Sequence, residues 1–219
     1  MSDPFSDIDK DVTLDKLKSL LYKYKKLIIT LLAFITVFSV TLYYLNNNKK
    51  AKDIRLSGYL IEIISIINAE DERAIKELVK LSKLGHSGHE ILSNLLLSKI
   101  YLKKQDFQAA INHLSKIEIK SKKLAPLNKL KNYFMSVAYL GLNNEKEFKK
   151  SINLLISYGG YWSLLGHELR GHFSIEQGNL IAAKKDFNKI INEQLSTQSL
   201  RARAQEMINK INLNDKGNS

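Results

Sequence analysis

Cysteine is absent from this 219-residue chain, so disulfide frameworks, thiol nucleophiles and thiolate metal sites are all excluded. Proline is nearly absent: Pro4 and Pro126 are the only two, and neither interrupts a long apolar-periodic stretch. Glycine is modest at 10 residues and tryptophan is limited to Trp162. A chain poor in these breakers and rich in Leu, Ile, Lys and Glu predicts an all-α domain. Catalytic signatures are missing as well. There is no His-Glu-x-x-His, no glycine-rich phosphate loop and no Gly-x-Ser-x-Gly elbow. The histidines are His86, His89, His113, His167 and His172; the first two share a Gly-containing loop, and the last two, five apart, do not share a helical face. The expectation is a non-enzymatic protein without metal or cofactor.

What the chain does have is one uncharged apolar run, Leu27 to Leu45, nineteen residues long. As a helix it would extend about 28 Å, close to the hydrocarbon thickness of a bilayer. Tyr43 and Tyr44 stand at one end, where aromatic rings favour the membrane interface. The run exceeds a signal-peptide h-region and follows a 26-residue polar leader. Asn46-Asn47-Asn48-Lys49-Lys50 then replaces any small-x-small cleavage site, so an uncleaved single-pass anchor is expected. The leader carries Lys10, Lys16, Lys18, Lys23, Lys25 and Lys26, against Lys49, Lys50, Lys52 and Arg55 beyond the run. This bias favours a cytoplasmic N-terminus and an exported C-terminal domain.

Acidic residues are the minority, 22 against 34 Lys and Arg, giving a net charge of +12. The leader, with six Lys and five Asp, accounts for only +1 of it. The lysines are scattered, with no Arg–aromatic interleaving, which speaks against nucleic acid. Two readings remain: exposed helix positions filled for solubility, or attraction to anionic lipid or an acidic partner.

The soluble part repeats. Leu97-Ser98-Lys99-Ile100-Tyr101 is followed by a turn at Gln105-Asp106, then Ala110 and Leu114, the helix–turn–helix pattern of a tetratricopeptide repeat. Ser136 with Tyr139, a turn at Asn143-Asn144, then Phe148 and Ile152 form a second copy. Gly171, a turn at Gly178-Asn179, then Ala183 and Phe187 form a third, and Ala74, Leu78 and Leu81 fit an earlier unit. Positions 74, 110, 148 and 183 are 36, 38 and 35 apart, against a period of about 34. The expected architecture is an N-terminal transmembrane helix followed by an α-solenoid of about four helix pairs and a capping helix. Its parts are a leader (1–26), an anchor (27–45), a juxtamembrane linker (46–51), a repeat domain (52–212) and a frayed tail (213–219). A short amphipathic helix is expected over 14–24, a break at Asn46–Asn48, and helix pairs near 52–83, 88–117, 127–156 and 163–192. The cap, Ser199–Ile211, sets Leu200, Ala204, Met207, Ile208 and Ile211 on one face.

Ser98, Tyr101, Ala110, Ser136, Tyr139, Gly171 and Ala183 are assigned to repeat packing, since small residues let paired helices cross closely. Trp162 is read as a wedge between the third and fourth pairs, with Gly159-Gly160 freeing the backbone at that corner. In a tetratricopeptide superhelix the first helix of each pair lines a groove. That places Leu95, Lys99, Leu102 and Lys103, then Leu130, Tyr133, Val137 and Leu140, then Glu168, His172 and Ile175 on a partner-binding face. The alternative for the groove leucines is core, because Ile91–Leu102 is apolar on nearly every side.

Three segments carry a resemblance: Gly160-Tyr161-Trp162-Ser163-Leu164-Leu165, Glu168-Leu169-Arg170-Gly171 and Gln177-Gly178-Asn179-Leu180-Ile181-Ala182-Ala183. Together with leader, anchor and repeats, they make the chain resemble the YfgM-like family, ancillary subunits of the bacterial Sec translocon. The resemblance implies an inner-membrane scaffold with a periplasmic repeat domain. It would sit beside translocon core subunits and a membrane-anchored periplasmic chaperone, and touch unfolded or emerging polypeptides. Rival readings are a cell-envelope assembly scaffold unrelated to Sec, and a signal-anchored import receptor with a cytosolic repeat domain.

Overall fold

The computed structural model describes residues 34, 38, 39, 41–84, 87–119 and 122–217. The leader with its expected 14–24 helix, and most of the expected anchor, lie outside the described residues. Among the described residues all regular structure is helical, and no helix there is long and apolar enough to cross a membrane.

Contacts divide the chain into two units, 1–55 and 56–219. In the first, residues 41–55 are helical. Asn46–Asn48 therefore lie inside a helix, where the sequence reading placed a break; asparagine is a poor helix former but not a breaker.

In the second unit α1 occupies 56–66, followed by α2 (Asp71–Ser82), α3 (Ser87–Lys103) and α4 (Phe107–Ser115). A 3₁₀ turn at Lys122–Leu124 leads into α5 (Pro126–Gly141) and α6 (Glu145–Ser157). Then come α7 (Gly160–Glu176), α8 (Leu180–Asn192) and α9 (Gln198–Gly217). The last helix continues to Gly217, beyond the expected end at 211 and into the segment read as a frayed tail. No glycine or proline interrupts 198–216, so nothing local stops it sooner.

The same local chemistry makes three of the four hairpins. A residue with positive φ closes the first helix: Gln105 (59°), Asn143 (53°) and Gly178 (72°). The next residue caps the second helix, with Asp106, Asn144 and Asn179 accepting from the backbone N–H of Ala109 (3.0 Å), Glu147 (3.3 Å) and Ala182 (3.0 Å). The α1–α2 turn differs. There Asn68 takes the positive φ and Asp71 accepts from the Asn68 N–H at 2.9 Å.

Neighbouring helices pack in sequence, and the first helices also touch one another, α3 against α5 and α5 against α7. Helices α3, α5 and α7 thus form one layer, each flanked by the second helix of its own pair and of the pair before it. Ala74, Ala110, Phe148 and Ala183, the repeat-spaced positions, are all fully buried. Close approach occurs at Ser98, Ser136 and Gly171. Ser98 Oγ donates to Asn94 O (2.7 Å) and reaches Ala110 O across the hairpin (3.3 Å). Ser136 Oγ bonds Ser151 Oγ at 3.0 Å. A Cβ on Gly171 would meet Phe187 Cζ at 2.8 Å. Tyr101 stacks on His113 at 5.5 Å, Tyr139 packs on the Phe148–Ile152–Leu155 core, and Trp162 touches the cores of both the third and fourth pairs. Gly159 and Gly160 turn the corner into α7 with φ of 67° and 55°.

Candidate partner-binding groove

The α3–α5–α7 layer holds the residues assigned to the groove, and it sorts them. Leu95 is 4 % exposed and belongs to a core with Ile91, Leu114 and Ile117. It is therefore core, not groove. Helix α3 packs against α2, α4 and α5 at once, which leaves an all-round apolar helix little free surface. Leu92, on the same helix and not assigned, is 38 % exposed. Lys99 is exposed and Leu102 half-buried. Lys103 is exposed too, but turns toward the first hairpin, donating to Asn68 Oδ1 (3.2 Å) and pairing with Asp71 (3.3 Å).

On α5, Leu130 packs on the second-pair core, whereas Val137 and Leu140 are half-buried against the third. Tyr133 bridges the third and fourth cores, its ring 6.5 Å from that of Trp162. Burial, with the Glu168 charge adding to it, pushes the Tyr133 hydroxyl up from its ordinary value, against the opposing pull of Arg203. On α7, Glu168 receives two hydrogen bonds from Arg203, at 2.7 Å from Nε and 3.1 Å from Nη2. His172 meets the Phe187 ring edge-on at 5.5 Å, and Ile175 packs on the fourth-pair core.

The face is therefore mixed: exposed or half-exposed Leu92, Lys99 and Leu102 at one end, an aromatic and aliphatic middle at Tyr133, Val137 and Leu140, and a forked ion pair at the other. Arg203 and Leu92 were missed from sequence. Arg203 follows Glu168 by 35 residues, one repeat period, so treating α9 as a fifth first-helix puts it in register.

A second constellation lies between α7 and α8. Asp186, 5 % exposed, accepts from Arg170 Nε (2.9 Å) and Nη2 (2.6 Å) and bonds His167 Nδ1 (2.8 Å). Burial works against ionising Asp186, but hydrogen bonds from His167 and Arg170 outweigh it and hold the carboxyl below its ordinary value. The same two positions in the second pair are Asn94 and His113, joined at 2.9 Å. This is a fastener between paired helices, made twice with different groups. Beside it, α6 and α7 enclose a cleft of about 460 Å³ floored by Phe148, Ile152 and Phe173, with Arg170 and Lys149 on its wall. Among the described residues no group of three or more His, Asp or Glu side chains is arranged to hold a metal ion, and His86 lies outside them.

No family model, no curated protein and no solved structure matches this chain.

Proposed function

We propose that this protein is a membrane-anchored, tetratricopeptide-like scaffold that holds polypeptide segments against the α3–α5–α7 layer, and that it serves as an ancillary subunit of the Sec translocon. The observation carrying the scaffold reading is that layer: helical hairpins whose first helices pack side by side, with Leu92 and Lys99 exposed and Leu102, Tyr133, Val137 and Leu140 half-buried along them. Apolar side chains between a lysine end and a forked Arg203–Glu168 end suit an extended or helical peptide better than a small substrate. The uncharged run 27–45 supports tethering through one span, with the leader cytoplasmic and the repeats periplasmic. The translocon as neighbour, with a membrane-anchored periplasmic chaperone, rests on the resemblance of 160–183.

The test is in-cell crosslinking of the full-length protein, mild-detergent capture and mass spectrometry. Translocon core subunits and a periplasmic chaperone are the expected enrichments. Envelope-synthesis proteins without the translocon would overturn that placement and leave the anchored scaffold. Charge substitutions at Tyr133, Val137 and Leu140 that keep the fold should abolish partner crosslinks; unchanged crosslinks would remove the groove.

A further inference from the structure

The hairpin stack has two edges, and their charges are arranged differently. One edge carries the hairpin turns at 68–70, 105–106, 143–144 and 178–179. There Lys103 pairs with Asp71, Lys104 with Glu72 and Lys149 with Glu145, while Lys146 is exposed. The opposite edge carries the connections between pairs. Ser57, near the start of this unit, bonds His89 at the start of α3 (3.1 Å), and Lys131 near the start of α5 donates to Ile117 O at the end of α4 (2.8 Å). These contacts put the entry of the chain at Leu56 on the same edge as the α2–α3 and α4–α5 connections.

That edge is basic. Lys83, Lys116 and Lys123 are exposed on it, and among the described residues none of the three forms an ion pair. Exposed Leu84 (46 %) adjoins Lys83, and Lys129 reaches the Tyr158 ring at 5.5 Å. The sequence from 116 to 131 holds six Lys against Glu118 alone. Lysine without arginine forks, and with exposed Tyr161 lying at the α6–α7 connection away from the lysines in sequence, fits diffuse phosphate charge better than base recognition. The charges border two successive connections, α2–α3 and α4–α5, and not the α3–α5–α7 groove. Leu56 follows the last residue of the uncharged run by eleven positions, about 16 Å as helix.

We propose that this inter-pair edge docks on an anionic lipid surface, holding the repeat domain edge-on to the bilayer. The tethering argument rests on reading 27–45 as an anchor; the charge argument does not. Each surface lysine strengthens attraction to an anionic leaflet by about fivefold, so removing three should weaken it about a hundredfold.

The experiment places the full-length protein in nanodiscs of phosphatidylcholine alone or with phosphatidylglycerol, and reads hydrogen exchange by mass spectrometry. Peptides around Lys83–Leu84 and Lys116–Ile119 should gain protection in phosphatidylglycerol discs, and lose it at about 0.5 M salt, where screening reaches only about 4 Å. A Lys83→Gln/Lys116→Gln/Lys123→Gln variant should lose it as well, with the turn-edge peptide 142–145 unchanged throughout. Equal exchange in the two lipids, or protection by an oligonucleotide but not by phosphatidylglycerol, overturns the proposal. Insertion into phosphatidylcholine discs reports the anchor separately. If the protein fails to insert, the docking proposal still requires salt-sensitive binding to phosphatidylglycerol vesicles that the triple variant loses, and absence of that binding refutes it.

Discussion

Replacing Gly171 by alanine sets two effects of opposite sign against each other. Alanine is favoured over glycine inside a helix by about 1 kcal/mol. Its Cβ, however, would stand 2.8 Å from Phe187 Cζ and 3.0 Å from both Cε atoms. Carbon atoms prefer about 3.5–4.0 Å. The Phe187 ring is fully buried with His172 against it, so it cannot swing into solvent, and α7 and α8 must separate instead. Overpacking of this kind costs about 1–3 kcal/mol, so Gly171→Ala should destabilise the fourth pair by a net of up to about 2 kcal/mol after the roughly 1 kcal/mol propensity gain. Gly58, helical and with nothing within 4 Å of its would-be Cβ, is the control. There the same substitution should stabilise by about 0.5–1 kcal/mol. Trp162, the only tryptophan, packs on the third and fourth pairs, so its fluorescence during denaturant unfolding reports the affected region. Far-UV circular dichroism follows Gly58→Ala. Phe187→Ala should absorb the added methyl, giving the pair Gly171→Ala/Phe187→Ala a favourable coupling of about 1 kcal/mol or more. If Gly171→Ala stabilises as much as Gly58→Ala does, close approach is not what that glycine is for.

Removing the hairpin caps one at a time, as Asp106→Ala, Asn144→Ala or Asn179→Ala, should cost about 1 kcal/mol each, measured by thermal unfolding. Arg170→Met should cost about 2 kcal/mol, less than the loss from a fully buried pair because the Arg170 side chain is 39 % exposed while that of Asp186 is 6 %. Adding Asp186→Leu should recover part of that loss in denaturant melts, the remainder reflecting the partner that His167 loses, and no recovery would refute the pairing. His113 is held below its ordinary 6.5 by burial first and by Lys116 second, so the fold favours its neutral form. The unfolded chain then binds the extra proton. Stability from His113 is complete above about pH 6.5 and declines as pH falls below it, by at most about 1.4 kcal/mol per pH unit. His113→Gln should flatten that part of a stability–pH profile.

The hairpin turns were legible because their chemistry is local. Gln105-Asp106, Asn143-Asn144 and Gly178-Asn179 each pair a residue tolerating positive φ with a capping side chain, and both demands act within four residues. The small residues Ser98, Ser136 and Gly171 were legible from their spacing. Leu95 was not: apolar residues surround α3 on every side, and only its three neighbours decide which of them stay exposed. Nor were the polar fasteners. Asp186 meets His167 and Arg170 across a hairpin, and Glu168 meets Arg203 a full repeat later, so no single-helix pattern contains either set.

The sequence alone determined that the described chain would be helical, where its hairpins would turn, and that an uncharged run long enough for a bilayer precedes them. These follow from propensities, caps and periodicity, which act over a few residues. Tertiary structure alone decided which apolar side chains are core, which ions are paired, and that Lys83, Lys116 and Lys123 share one edge. Those outcomes depend on helices that are distant in sequence packing into layers, and burial and pairing exist only once those layers meet.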